Sequence, residues 1–348
     1  MINEFKNKRI LVTGGTGSIG SAIVRELLNY HPRQIRVFSR DETKQFELGH
    51  ALGAPASVNF LIGDIRDKER LNMAMEKIDI VFHAAALKHV VSCENNPFEA
   101  IKTNVQGTQN VIDCAYANGV DKVIMISTDK ATDPTNVMGC TKLLAEKLIL
   151  ASFLYKGDKK TKFCCVRFGN VLASRGSVVP LFFNQIKRSL PITITDPQMT
   201  RFIMSISQAV QLVLKSTKLM KNREIFVLKM PVVTLKDLTR AVIEVFQEKN
   251  KIKLDVPVKI IGKKEGERLH EKLLTIEESE GALETEDMFI ILPNLLDPGS
   301  GYKFTKSDSY PGAKKTKVNE YSSKDVKKMP VAAIKELLLT NNELKVYF

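Results

Sequence analysis

The sequence lacks a membrane-length apolar run: no uninterrupted stretch approaches the roughly 20 residues a helix needs to cross a bilayer. Its opening, MINEFKNKRILVTGG, has no apolar core or small-residue cleavage site before the first strand pattern, so no signal peptide is expected and a cytoplasmic protein is. Cysteine is scarce. The five, Cys93, Cys114, Cys140, Cys164 and Cys165, form no C-x-x-C pair, and no histidine stands at zinc spacing from them. Neither a redox dithiol nor a metal site is therefore expected, and the thiols read as small hydrophobes in a reducing compartment. Acidic residues are in deficit, and the net charge is +13. The lysines are nevertheless scattered, with no aromatic-interleaved basic motif, which argues against a nucleic-acid partner. The excess reads as solvated surface, part of it available to anionic ligands such as nucleotide phosphates. Internal repeats are also absent.

What is present, from residue 8 to about 170, is an alternation of short apolar runs and helical patterns. RILVTG, IRVFS, VNFLIG, IDIVFHAAA, KVIMIST and KFCCVRFG read as strands, separated by segments such as SIGSAIVRELLNY and PFEAIKTNVQGTQNVIDCAYANG. Strand and helix in series predict an α/β fold: a doubly wound parallel sheet covered on both faces, with ligands at the carboxyl ends of the strands. After residue 170 glycine, proline and short mixed elements take over. This predicts a smaller interleaved α/β substrate lobe formed by 171–202, 225–231 and 251–348. Segments 203–224 and 232–250 are expected to return to the first domain, 1–170.

TGGTGSIG follows the first strand and opens the first helix. Gly14, Gly17 and Gly20 provide a tight turn, close backbone approach to a pyrophosphate and close helix-on-sheet packing, while Thr16, Ser18 and Ile19 supply backbone N–H groups at a helix N-terminus. In this context the pattern predicts a dinucleotide. The second strand ends at Ser39, where an acidic side chain would bind a ribose 2'-hydroxyl. Arg40 and Lys44 suit a 2'-phosphate, so NADP is favoured, with Asp41 as the rival ribose ligand if the strand tip lies further along. GDIRD offers Asp64 and Ile65 to the adenine. Ala84, Ala85 and Ala86 are small where bulk would block the dinucleotide.

STDKATDPTNVMGCTK spans the carboxyl end of the fifth strand and the start of the next helix. Thr128, Asp129 and Lys130 bring a hydroxyl, a carboxylate and an amine to the ligand edge of the sheet. Met138 and Lys142 are four residues apart and share a helix face, whereas Cys140 lies off it. Sites of this kind usually carry a tyrosine four residues before the lysine. A thioether has no ionisable proton, so Met138 is neither acid nor base. Tyr116 and Tyr155 lie too far along their helices to substitute. The three crowded polar residues are hard to justify as packing, and the site reads as active.

These motifs, with SRDETKQ, HAAALKHV and RFGNVLASRGSVVPLF, resemble the extended short-chain dehydrogenase/reductase superfamily. More narrowly, they resemble CapE-like inverting, C5-epimerising UDP-N-acetylglucosamine 4,6-dehydratases of polysaccharide biosynthesis, a branch with methionine at the Met138 position. The resemblance implies a retained NADP and a UDP-hexosamine substrate, UDP-N-acetylglucosamine or a close relative. It further implies Lys130 as the base for the C5 proton, Asp129 as the acid for the departing C6 hydroxyl, Thr128 at the C4 oxygen and Lys142 at the nicotinamide ribose. Asp129 or a relay through Thr128 would take the C4-hydroxyl proton, and a partly neutral Lys130 is required. Asn170 and, in the following turn SRGSV, Ser177 and Val178, together with Arg201, would contact phosphates. Lys264 stands where relatives often place arginine, and Glu267 would meet the ribose. Lys88, near the cofactor edge, would contact both cofactor and substrate, and the neighbouring His89 reads as structural. A homo-oligomer is implied, a hexamer rather than the dimer. The rivals are a UDP-sugar C4 epimerase, a dehydratase that stops at the 5,6-alkene, and a non-catalytic NADP-binding regulator.

Overall fold

The computed structural model of the protein describes residues 4–155, 157–174, 176–293 and 310–348. Its centre is a sheet in which Val58–Ile62, Gln34–Ser39, Arg9–Thr13, Ile80–His83, Lys122–Ile126, Lys162–Arg167 and Glu224–Leu228 lie side by side and parallel. The middle strands are apolar on both faces. Ile10, Leu11, Val12, Val123, Ile124 and Met125 are all fully buried, as a sheet covered by helices on each side requires. The first strand has the second on one flank and the fourth on the other, so the strand order reverses there. That reversal opens a crevice at the carboxyl ends, between the loops that follow Thr13 and His83.

The covering helices are set by their caps and their apolar stripes. Ser18–Leu28 buries Ile23, Val24 and Leu27 against the sheet. Asp41 and Asp67 cap the two following helices, each carboxylate accepting an N–H three residues on. Asn136 caps Val137–Ala151 through the Gly139 N–H at 2.8 Å. The segment expected as one helix from Pro97 is broken by a π-helical stretch, Ile101–Gln106. Within it Asn104 accepts from the Leu87 N–H at 2.8 Å and donates to the Leu87 carbonyl and to Thr141, both at 3.0 Å. The widened turn thus fastens the loop after the fourth strand to the helix that carries Lys142, a use typical of π-bulges near sites.

The two larger apolar cores among the described residues redraw the expected boundary. Glu224–Leu228, placed in the lobe by its sequence, is instead the seventh parallel strand, paired with Lys162–Arg167. Met288–Ile291, Leu283–Glu284 and Lys314–Lys315 extend the same sheet in antiparallel fashion, so part of 251–348 belongs to it as well. Conversely, Val232–Thr234 pairs with Thr200–Met204, and Leu235–Asn250 buries Leu238, Val242 and Val245 in the second core; residues 232–250 therefore build the lobe. Ile206–Leu219 packs on the first core beside Ser18–Leu28. Near the C-terminus, Tyr321–Ser322 pairs with Lys272–Leu274.

Candidate active site

The end of the strand Lys122–Ile126 is held rigidly. The Ser127 N–H donates to the Val166 carbonyl at 2.8 Å and the Asp129 N–H to the Phe168 carbonyl at 3.1 Å. This turns Asp129 inward, where it is buried. Its Oδ1 accepts from the Thr128 hydroxyl at 2.8 Å and from Lys130 Nζ at 3.0 Å. Its Oδ2 is buried without a hydrogen-bond partner among the described residues. Leaving a carboxylate oxygen in that state is costly in a folded protein, and it leaves an acceptor ready for a proton or a hydroxyl. The Thr128 proton is spent on Asp129, so toward a ligand Thr128 presents lone pairs.

Lys130 is neither exposed nor neutral. Its side chain keeps 24% exposure and lies between Asp129 and Glu271, the latter at 3.7 Å. Burial pulls the ammonium pKa down, but Asp129 first and Glu271 second outweigh it, and the group stands above the ordinary lysine value. The partly neutral Lys130 expected from sequence is therefore not its resting state, because the two carboxylates prevail over desolvation. Glu271 was given no role in the sequence reading, although it closes the stretch GKKEGERLHE. Its only signal was a carboxylate next to a histidine, which a solvated surface offers equally well.

Met138 is packing: it is buried with Cys93 and Ala100. Lys142, one turn on, is also buried, and its Nζ donates to the Ile126 carbonyl at 2.6 Å. Burial lowers its pKa, opposed by Glu146 one turn on. Glu146 in turn accepts from Ser127 and forms a buried ion pair with Arg167 at 2.7 Å, and Arg167 also pairs with Glu278 at 2.8 Å. Breaking such a pair by removing one partner costs about 3–5 kcal/mol, so this network anchors the floor of the site. Tyr116 donates its hydroxyl to the Ser152 carbonyl at 3.0 Å and is structural. Cys140 is exposed on another face of the same helix.

At the crevice the glycine loop is pressed against the fourth-strand turn. A Cβ on Gly14, whose φ is +65°, would stand 2.7 Å from Ala85 Cα; one on Gly20 would stand 2.3 Å from the Gly14 carbonyl oxygen. Gly17 stands at the N-cap of Ser18–Leu28 and makes no side-chain cap hydrogen bond. Thr16 is buried, and Ala84, Ala85 and Ala86 are half-buried. These residues fit a dinucleotide pyrophosphate. Next to them Ser39 faces inward, its hydroxyl accepting from Gln45 at 3.0 Å. Asp41 is spent as a cap and as the partner of Lys44. Arg40, 55% exposed, leans on Asp64 at 3.4 Å, and Arg66 holds the same carboxylate at 2.7 Å. Ile65 is a core side chain under Gly107, so it can offer an adenine only its backbone.

A cavity of about 490 Å³ runs from Lys130 into the lobe. Asn170, Ser177, Val178, Arg201, Lys264 and Glu267, far apart in sequence, all line it. Asn170 Oδ1 and Ser177 Oγ are buried without a partner among the described residues. Lys88 stands exposed and outside this lining. His89, read as structural, is instead exposed and lines the cavity against Gly176. Arg175 of the same turn lies outside the described residues. The loop bearing Lys264 and Glu267 is tied to the turn that follows Lys122–Ile126: Thr135 and Asn136 both donate to the Gly266 carbonyl at 3.1 Å, and Arg268 donates to the Thr132 carbonyl at 3.2 Å.

Residues 10–293 match the family described as "Polysaccharide biosynthesis protein". The chain is 53% identical to an uncharacterized membrane protein of Methanocaldococcus jannaschii, covering 97% of this chain and 96% of that one. It is 45% identical to a UDP-N-acetylglucosamine 4,6-dehydratase (inverting) of Campylobacter jejuni over 84% of each chain. It is also 42% identical to a UDP-glucose 4-epimerase of Rickettsia rickettsii over 97% of this chain and 96% of the relative. Among solved structures, Pen from Bacillus thuringiensis superposes with a TM-score of 0.88 at 46% identity, covering 97% and 98% of the two chains. Among the described residues no helix is long and apolar enough to cross a membrane, and no group of histidine, cysteine, aspartate and glutamate could hold a metal ion.

Proposed function

The chain belongs to the polysaccharide biosynthesis protein family of extended short-chain dehydrogenase/reductases, and from that premise we propose that it is a cytoplasmic UDP-N-acetylglucosamine 4,6-dehydratase that inverts C5. The observation that carries the proposal is the Thr128–Asp129–Lys130 cluster at the strand tip, opening on the cavity that gathers the phosphate and ribose contacts. A simple C4 epimerase shares the C4-hydroxyl proton transfer but has no C5 proton to remove and no C6 hydroxyl to expel, so it has no use for the amine as a base.

NADP, when bound, supplies the hydride acceptor and donor. Gly14, Thr16, Gly17, Ser18, Ile19 and Gly20 would hold its pyrophosphate and Lys142 its nicotinamide ribose. The 2'-phosphate would draw Arg40 and Lys44 from Asp64 and Asp41; both are surface pairs that cost little to open. Thr128 accepts from the sugar C4 hydroxyl while donating to Asp129, so the proton reaches the carboxylate by a single relay. Asp129 is then neutral and charged with the proton that the departing C6 hydroxyl needs. Its neutralisation also removes the carboxylate nearest Lys130. Desolvation now works against the ammonium, which sheds its proton through the cavity and becomes the base for C5. Asn170, Ser177 and Arg201 would hold the diphosphate, and Lys264 and Glu267 the nucleoside end.

The test is incubation with UDP-N-acetylglucosamine in deuterated water, with mass spectrometry and NMR of the product. The expected product has lost one water and carries solvent deuterium at inverted C5. An epimerised sugar without deuterium would make the protein a C4 epimerase, the reading its likeness to the Rickettsia enzyme favours. Retention of NADP with no change in the sugar would make it a non-catalytic binder.

A further inference from the structure

Outside the strand-tip turn, the group that bears most directly on Lys130 is Glu271. It is buried, and its Oε1 lies 3.7 Å from Lys130 Nζ and 3.7 Å from Arg201 Nε. Its backbone is fixed independently of its side chain. The Glu271 N–H donates to Ser323 Oγ at 2.9 Å, and the Ser323 N–H donates to the Glu271 carbonyl at 2.8 Å. Ser323 Oγ is in turn 2.7 Å from Thr200 Oγ1, next to Arg201. The C-terminal segment thus presses one carboxylate between a cation of the strand-tip turn and a cation of the lobe. The charged groups that face Lys130 are Asp129 from its own turn, Glu271, and Arg201 from the strand Thr200–Met204. His89, Lys264, Glu265, Glu267 and Arg268 line the same cavity without an ion pair to Lys130 among the described residues.

We propose that Glu271 is a positioning residue that sets the proton occupancy of Lys130, holding it as an ammonium across the cavity from Arg201 until Asp129 is neutralised. The proposal deepens the dehydratase reading and rests on it for its kinetic consequence. Two carboxylates flank one half-buried amine. Protonation of Asp129 removes one of them, and Glu271 decides how far the amine's affinity for its proton then falls. An anion at this distance stabilises a partly buried cation strongly, so its removal lowers the pH at which the amine loses its proton. Arg201 limits the effect, because it shares the same oxygen.

The experiment has two arms. In the first, the rate of Lys130 acylation by acetic anhydride is followed against pH by peptide mass spectrometry, in the wild type, Glu271→Gln and Glu271→Asp. Only the neutral amine reacts, and the arm needs no sugar nucleotide. The midpoint is expected to fall by about one pH unit or more in Glu271→Gln and to stay within a few tenths of a unit, roughly, of the wild type in Glu271→Asp, which keeps the charge. In the second arm, the acid limb of kcat for water elimination is expected to shift downward in Glu271→Gln by the same amount. An unmoved acylation midpoint overturns the proposal, as does a shifted midpoint with an unmoved kinetic limb. A wild type that eliminates no water refutes the dehydratase reading, and the acylation arm still decides whether Glu271 governs Lys130.

Discussion

Met138 and Asp129 show at the residue scale how stability and chemistry part company in one turn of chain. Met138 is buried in an apolar cluster with Cys93 and Ala100. Met138→Ala is expected to lower unfolding free energy by about 2–4 kcal/mol, read by denaturant titration, while turnover stays within about tenfold of the wild type. Asp129→Asn is expected to do the reverse. The amide keeps the Thr128 contact and Lys130 keeps Glu271, so the melting temperature changes little, whereas water elimination falls by about 100-fold or more. Elimination at the wild-type rate in that variant would remove Asp129 from the proton path. That Met138 carries no proton was legible from its chemistry alone. The spending of the Thr128 proton on Asp129 was not, because the direction of a hydroxyl depends on which acceptor the fold places beside it.

At the scale of elements, the glycine loop and its helix were legible because their requirement is local. Gly20 must lie against the Gly14 carbonyl, and no other residue fits. Gly20→Ala is expected to weaken dinucleotide binding by at least about tenfold in a fluorescence titration, since the loop must shift to admit a Cβ. Gly53→Ala is the control: its φ of +71° makes it slightly strained, but nothing lies within 4 Å, and binding is expected to be unchanged. Equal loss in both variants would point to general destabilisation. EIFVLKM could not be placed by the same kind of reading. A short apolar run buried on both faces looks identical in either domain, and only its pairing with Lys162–Arg167 assigns it to the central sheet. The π-helical stretch at Ile101–Gln106 was equally invisible, because its cause is the three bonds Asn104 makes to Leu87 and Thr141.

His83 bears on the stability of the whole molecule. Thr108 spends its hydroxyl proton on the Asn104 carbonyl at 2.6 Å and so accepts from His83 Nε2–H at 3.1 Å, while Thr13 donates to Nδ1 at 2.8 Å. The ring is neutral in this network. Burial, helped by Lys142, pushes its pKa down from 6.5 to about 3. Between those values the unfolded chain takes up a proton that the folded protein refuses, so this residue's contribution makes stability fall as pH drops from 6.5 toward 3. A His83→Gln variant is expected to be less stable near neutral pH but to lose part of that slope in urea titrations at successive pH values. Parallel pH profiles for the two proteins would show that the ring takes no part in it.

Sequence by itself determined the doubly wound sheet, the tight glycine loop after the first strand and the residues at the fifth strand's tip, because each rests on spacing within about 20 residues or on the chemistry of one side chain. Tertiary structure alone decided which segments share the second core, that His89 faces the cavity, and that Lys130 rests as an ammonium. The physical reason is range. A backbone turn is fixed by its immediate neighbours, but the charge on an amine is fixed by whatever carboxylate the fold brings within a few ångströms. Here Asp129 adjoins Lys130 in sequence, and the fold adds Glu271, whose backbone is held by a serine near the far end of the chain.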